Sequence, residues 1–126
     1  MPASRRFPRA VVDEIRKSLV VGVRAGTEPH RIIGIWAVVA DGRVFVRSWS
    51  LKERSWYRTF MKEPRGVMTV KDKEYPVRAV RIRSERIKAA VDRAYHEKYH
   101  TPASLKYVKD LCRKQSRDTT TELAPR

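Results

Sequence analysis

One apolar segment constrains the fold of this chain more than any other feature, because Ile32 to Ala40 contains no charged or hydroxyl side chain. A segment that is apolar on both faces is typical of a central strand covered on both sides. Asp41 and Gly42 follow it, and Asp-Gly is a typical two-residue hairpin turn. The next residues, Arg43 to Trp49, alternate, with Val44, Val46 and Ser48 on one face and Phe45, Arg47 and Trp49 on the other. The sequence therefore predicts a β-hairpin at the centre of a sheet.

Further strands and helices are predicted on both sides of this hairpin. Strands are expected over Leu19–Val23, Gly66–Lys71 and Glu74–Arg83, with a tight connection at Asp72-Lys73 and an edge or bulge near Pro76. Helices are expected from Pro8 to about Lys17, from Glu85 to about Tyr99 after a Ser84 cap, and from Thr101-Pro102 to about Arg113. The tail, Thr119–Leu123, is β-prone, and both a disordered segment and a last strand stay open.

Composition indicates one domain over residues 1–126, with a loose arm over 1–8. Hydrophobic residues make up 41% of the chain, which is enough for a core without disulfides. The single cysteine, Cys112, fits a reducing compartment and is expected to be buried or half-buried on its helix. No N-terminal apolar stretch and no bilayer-long segment is visible, so we expect a cytoplasmic protein that contacts no membrane.

The strong positive charge is the second constraint, since 29 Lys and Arg stand against 14 Asp and Glu, a formal net charge of +15. A field of this sign attracts nucleic acid, anionic lipid heads and phosphorylated small molecules. The basic residues are spread along the whole chain, so solubility alone explains them equally well.

A candidate phosphate site lies where the hairpin's second strand ends. Ser50 and Glu53 match a capping box, which predicts a short helix that stops before Pro64. Free N–H groups at a helix start attract anions, and the neighbouring hydroxyls and cations add to this, namely Ser48, Ser50, Lys52 and Arg54. An ordinary capped helix with exposed cations is the alternative.

The segment His96-Glu97-Lys98-Tyr99-His100 matches the H-E-x-x-H zinc pattern. Helical spacing places His96 and His100 opposite the apolar positions Ile87 and Val91, so both should face solvent. Lys98 adds a charge inside the motif, and Lys106 occupies the position of a third ligand. We therefore expect no zinc site here.

The aromatic residues Trp36, Trp49, Trp56 and Tyr57 are compatible with base stacking, with stacking on a flavin ring, or with core packing. Trp36 and Trp56 lie in apolar patterns that favour packing. Trp49 is expected to be the most exposed.

The order of these motifs resembles a bacterial family, domain of unknown function 2255. The resemblance covers about residues 9–126 and is carried by Ile35-Trp36-Ala37-Val38-Val39, Asp41 to Ser48, Trp56-Tyr57-Arg58, the Tyr95 to Tyr99 helix and the closing Thr-Glu-Leu-Ala-Pro-Arg. That family is similar to the deazaflavin-dependent nitroreductases, split barrels related to pyridoxamine-phosphate oxidase. The implied fold is α+β: a split β-barrel of about six antiparallel strands with an N-terminal helix, a short helix after the third strand and a C-terminal helical pair.

The resemblance also implies a homodimer that binds FMN or a deazaflavin, as an oxidoreductase of unknown substrate. The positions matching its phosphate site are Arg47, Ser48, Ser50, Lys52 and Arg54, with Arg31 to Trp36 beside the ring. Glu63-Pro64 replaces the usual Asn-Pro, and Leu51, Lys52 and Glu53 replace small residues of the cofactor loop. A basic nucleic-acid-binding barrel and a cofactor-less dimeric interaction module remain the alternatives.

Overall fold

The computed structural model describes residues 6–28, 31–49 and 55–126. Its strands are β1 (Val21–Ala25), β2 (Ile33–Ile35), β3 (Ala37–Ala40), β4 (Arg43–Val46), β5 (Arg65–Val70), β6 (Lys73–Arg81) and β7 (Thr121–Pro125). Its helices are α1 (Arg9–Lys17), α2 (Trp56–Lys62), α3 (Glu85–Lys98), α4 (Pro102–Leu111) and α5 (Lys114–Arg117). None of the described helices is long and apolar enough to cross a bilayer.

The strands form one antiparallel sheet in the order β2-β1-β5-β6-β7-β4-β3. Its two end strands, β2 and β3, are consecutive pieces of one chain segment that is interrupted only at Trp36. The sheet therefore curls into a nearly closed barrel whose two end strands are joined at Trp36, and the predicted α+β split barrel is confirmed, with seven strands instead of about six.

The prediction of one continuous central strand over Ile32 to Ala40 was wrong. The first part pairs with β1 in the register Gly22↔Gly34, and the second pairs with β4 from Ala40↔Arg43 to Ala37↔Val46. Because each half has its own partner, the segment is interrupted at Trp36, and apolar periodicity alone does not show such an interruption.

Both tight hairpins use residues with positive φ. Asp41 and Gly42 connect β3 to β4 at φ 53° and 69°, as predicted. The turn between β5 and β6 uses Lys71 and Asp72, at φ 47° and 68°, one residue earlier than predicted. Both pairs match a type I′ turn, whose twist suits antiparallel strands. Pro76 lies in the half of β6 that precedes the pairing with β7, which explains how the ladder tolerates it.

Helix starts follow local capping chemistry. Ser84 accepts a hydrogen bond from the Ile87 N–H and Thr101 from the Ser104 N–H, so both predicted caps are confirmed. The cap of α2 is Ser55, which accepts from the Arg58 N–H. The predicted capping box of Ser50 and Glu53 lies outside the described residues. The short helix α5 was not predicted.

Both ends of the described part of the chain contact the barrel. Phe7, which was expected to belong to a loose arm, is buried and packs edge-on against Tyr75, and Arg6 donates to the Asp41 carbonyl. At the other end the tail forms β7 between β4 and β6, so a last strand is the correct alternative.

Two apolar clusters hold the fold together. One fills the barrel and includes Val23, Val44, Met68 and Leu123. The other lies between the outer barrel wall and the helices α3 and α4, where Phe45 packs with Val91, Tyr95 and Leu111. The predicted alternation of β4 is confirmed, because Val44 and Val46 belong to the first cluster and Phe45 to the second.

Candidate functional site: a cavity at the split of the barrel

The barrel has a cavity where its end strands separate. Pairing between β3 and β4 stops at Ala37↔Val46, and the chain before Ala37 then turns to pair with β1. Residues 33–36 and 47–49 diverge from this point and enclose a cavity of about 450 Å³. This volume lies within the range of small-molecule sites. The walls are mostly apolar and are formed by Val20, Ile33, Gly34, Ile35, Trp36, Arg47, Ser48, Trp49, Ser55, Trp56 and Leu111.

Aromatic rings line one side of the cavity and continue to the surface. Trp36 stacks on Tyr99 with ring centroids 4.0 Å apart and planes 5° from parallel. Trp36, Trp49 and Tyr107 contact one another edge to face, with centroids 5.9 to 6.0 Å apart. Trp49 is 51% exposed and Tyr107 is 43% exposed, whereas Trp56 and Tyr57 are buried. The prediction that Trp49 is the most exposed of its set is confirmed.

The last turn of α3 fixes the chain at the interruption between β2 and β3. The Tyr95 hydroxyl donates to the Trp36 carbonyl at 2.8 Å, and the Lys98 ammonium donates to the carbonyls of Ile15 at 2.9 Å and Ala37 at 2.6 Å. The Tyr99 hydroxyl donates to the Leu19 carbonyl at 2.7 Å. The bonds to the Trp36 and Ala37 carbonyls anchor the main chain at the interruption between β2 and β3, so they hold Trp36 in the cavity wall.

Burial shifts the pKa of these three side chains. It lowers the pKa of Lys98 to about 8, because an ammonium loses hydration inside the protein. It raises the pKa of Tyr95 and of Tyr99, because their phenolate forms are disfavoured there. Both tyrosines therefore remain protonated hydrogen-bond donors at neutral pH.

Arg47, which the sequence places in the phosphate site, has a fully buried side chain. Its Nε donates to Thr120 Oγ1 at 2.9 Å, and its Nη1 donates to Asp92 Oδ1 and to the Leu111 carbonyl. Its Nη2 donates to the Lys88 carbonyl at 2.9 Å. Every guanidinium nitrogen therefore has an internal partner. This geometry favours a structural role, in which Arg47, next after β4, holds α3, the end of α4 and the residue before β7 together.

The other predicted site residues are placed in different ways. Ser48 is buried in the cavity wall, and its N–H donates to Thr119 Oγ1 at 2.8 Å. Arg31 is exposed just before β2. Ser50, Lys52 and Arg54 lie outside the described residues. The structure therefore brings together Trp36, Arg47 and Ser48 at one cavity.

The sequence that builds this fold and this cavity matches a known family. The profile of a family described as an uncharacterized protein conserved in bacteria, domain of unknown function 2255, matches residues 11–123. The chain belongs to this family. The resemblance seen in the sequence is confirmed, and among curated proteins no relative matches.

Solved structures similar to this member of the 2255 family share its fold. A conserved hypothetical protein from Mycobacterium tuberculosis has a TM-score of 0.63 at 15% identity, over 98% of this chain and 82% of the other. An F420-H2 dependent reductase has a TM-score of 0.58 at 18% identity, and the match covers 84% of this chain and 93% of the reductase chain. A heme binding protein from Mycobacterium smegmatis has a TM-score of 0.52 at 16% identity, and the match covers 95% of this chain and 52% of the other. At these identities the likeness concerns the fold alone.

The H-E-x-x-H segment of this 2255-family chain lies at the end of α3. His96 and His100 are both exposed, as predicted. His96 Nδ1 bonds the Asp92 carbonyl at 3.0 Å, and Cys112 Sγ lies 4.0 Å away from the same nitrogen. Among the described residues no three potential ligands cluster around a metal position. Burial raises the pKa of the half-buried Cys112 thiol, which disfavours the reactive thiolate form.

Sequence reasoning missed the last turn of α3 as the support of the cavity wall. Tyr95, Lys98 and Tyr99 lie three and four residues apart, on the same helix face as Val91. The available signal was a lysine on an otherwise apolar face, which must find buried acceptors. Sequence reasoning also missed Val20, Ser55 and Leu111 as lining residues, because only tertiary packing brings them to the cavity.

Proposed function

We propose that the cavity at the split binds the ring system of a phosphorylated flavin or deazaflavin, and that the protein is an oxidoreductase. The observation that supports this most is the cavity itself, which has apolar and aromatic walls and opens between two strands of a strongly basic protein. The F420-H2 dependent reductase shows that the same fold occurs in a protein named for such a cofactor. Bound there, the cofactor would supply hydride or electron transfer, and the protein would supply orientation and electrostatics.

The described residues fit the ring better than they fit the phosphate. Trp36, Trp56 and Ile35 offer apolar surface to a flat aromatic system. Arg47 has internal partners for each guanidinium nitrogen, so it is poorly placed to bind a phosphate. We therefore assign the phosphate to Ser50, Lys52 and Arg54, which follow Trp49 in the chain. The net charge of +15 attracts anionic ligands such as a phosphorylated cofactor.

The homodimer is also part of this proposal. Four large apolar side chains are exposed on the segments before β1 and at β2, beside the cavity: Leu19, Val20, Ile32 and Ile33. Exposed apolar surface of this kind favours a protein partner, and a second copy would shield the cavity from water.

Titration of the apo protein with FMN and with a deazaflavin phosphate tests the proposal. We expect quenching of tryptophan fluorescence, because Trp36, Trp49 and Trp56 line the cavity. A native mass spectrum of the purified protein reports any retained ligand and the dimer together. If neither ligand quenches fluorescence or adds mass, the cofactor proposal falls and the cofactor-less interaction module takes its place.

Two matched variants locate the binding site. Ile33→Glu places a carboxylate at the cavity wall and should weaken binding of an anionic cofactor about tenfold or more, because the introduced charge repels the ligand in a partly desolvated site. Val80→Glu is the control, since Val80 on β6 has a similar exposure, 37% against 42%, and does not line this cavity. Equal effects of the two variants would place the ligand elsewhere.

Nucleic-acid binding is the second candidate, and the exposed pair of Trp49 and Tyr107 supports it together with the net charge. Lys106 Nζ lies 5.1 Å from the centre of the Tyr107 ring, so stacking and cationic groups are adjacent. This candidate predicts affinity for mixed oligonucleotides that falls steeply with salt. Absence of binding at low salt would eliminate it.

A further inference from the structure

The cavity is bordered by one strand edge that has no strand partner among the described residues. β2 pairs with β1 on one side, in the register Val21↔Ile35, Gly22↔Gly34 and Val23↔Ile33. It is the end strand of the sheet, and its other side faces the cavity and residues 47–49. In an antiparallel strand, alternate residues direct both N–H and C=O away from a given neighbour. The main chain of β2 therefore presents a donor and an acceptor, side by side, to the cavity.

This polar edge lies within apolar surroundings. Ile35, Trp36, Trp56 and Leu111 contribute mostly hydrocarbon and ring surface to the walls. The Trp36 carbonyl already accepts from the Tyr95 hydroxyl, so we do not count it among the main-chain acceptors that β2 offers to a ligand. Ile33 and Gly34 are exposed in the free protein, so water can satisfy their main-chain groups there. A main-chain group that a ligand covers without giving it a partner costs about 1–3 kcal/mol. A ligand that supplies both partners at once is therefore favoured over one that is merely flat and apolar.

We propose that the cavity-facing edge of β2 recognises a cyclic imide, the ring edge in which one N–H lies between two carbonyl groups. The adjacent N–H and C=O of an extended residue match the C=O and N–H of such a ring edge, which binds as a neighbouring strand would. The ring faces then lie between the apolar walls, where Trp36 is held by its stack on Tyr99.

This proposal rests on the proposed function and selects within it. Flavins and deazaflavins both carry a cyclic imide on the ring opposite their hydrocarbon edge. Haem carries no such group, since its polar groups are carboxylates and its ring nitrogens bind the metal. The β2 edge therefore favours the flavin and deazaflavin class over haem, the ligand in the name of the third similar structure.

Methylation of the imide nitrogen tests the proposal on the intact protein. We expect N3-methyl FMN to bind about 10- to 100-fold more weakly than FMN in a tryptophan-quenching titration, because the methyl group removes the donor and leaves the strand acceptor unpaired. The matched control is FMN with an additional methyl group on its dimethylbenzene ring, which should bind within about threefold of FMN.

Amide hydrogen exchange gives a second readout that does not depend on activity. FMN should slow exchange at one or more amides of Ile33 to Ile35. N3-methyl FMN at equal occupancy should slow exchange less, because its methyl group holds the ring edge away from the strand. If FMN binds and its N3-methyl derivative binds equally well, the imide proposal is overturned while the proposed function stands. If FMN and the deazaflavin both fail to bind, the two proposals fall together. Haem binding that equals FMN binding would also overturn the imide proposal.

Discussion

Replacement of Arg47 by methionine is predicted to destabilise the whole domain, because this guanidinium joins four parts of the chain. The side chain is fully buried, and it donates to Asp92 and Lys88 of α3, to Leu111 at the end of α4 and to Thr120 before β7. Methionine has a similar volume, so the change removes hydrogen bonds and charge with little change in packing.

The expected loss follows from these contacts. Breaking a buried ion pair costs about 3–5 kcal/mol when the remaining charge has no partner. Asp92 keeps its contact with Arg117 at 3.0 Å, so its carboxylate remains paired and the cost falls towards the lower end. The carbonyls of Lys88 and Leu111 and the Thr120 hydroxyl each lose one buried donor, which adds to the cost. We therefore expect about 3–4 kcal/mol, which for a chain of this length lowers the melting temperature by about 12–16 °C.

Urea denaturation followed by circular dichroism and tryptophan fluorescence measures this effect. Arg65→Met is the matched control, because Arg65 forms an exposed ion pair with Glu63 and should change the midpoint little. Combining Arg47→Met with Asp92→Asn should give less than the sum of the single losses, since the two residues share a contact. The reasoning is refuted if Arg47→Met is no more destabilising than Arg65→Met, and an anion-binding role then becomes the better account of Arg47.

Three further predictions concern other parts of the molecule. Lys98 has a folded pKa of about 8 against 10.5 for an ordinary lysine, so stability should rise between about pH 8 and 10, where only the unfolded chain keeps this proton. Lys98→Met should reduce this pH-dependent gain in the free energy of unfolding by about 1–2 kcal/mol, after allowance for solvent screening. If urea denaturation gives the same dependence of unfolding free energy on pH for the variant and the parent, this prediction is wrong. Gly66→Ala should cost about 1–3 kcal/mol in the same assay, because its Cβ would come within 2.7 Å of the buried Phe60 ring. Chelator treatment should leave the melting temperature unchanged, and a drop that disappears in a His96→Ala, His100→Ala variant would reveal a metal site.

Local signals were read correctly from the sequence where only neighbouring residues decide the structure. The turn at Asp41 and Gly42 and the caps at Ser84 and Thr101 depend on contacts within a few residues. The family resemblance also follows from local motifs in a fixed order. These features therefore give the order of the elements and the type of barrel.

The site could be predicted only in part. The sequence placed Trp36, Arg47 and Ser48 together, and all three line the cavity. It did not predict that Arg47 would be fully hydrogen-bonded, because its partners Asp92 and Thr120 lie 45 and 73 residues further along the chain. Spacing along the sequence does not report contacts over such separations.

The sequence by itself determined the strongly basic composition, the hairpin after the apolar segment and membership of the 2255 family. Only the tertiary structure decided where that apolar segment is interrupted. Ile33 to Ile35 pair with β1 while Ala37 to Ala40 pair with β4, so the chain separates at Trp36 and leaves a cavity. Both halves are equally apolar, and only the choice of partner strand distinguishes them. That choice depends on how the whole sheet closes, which no local pattern encodes.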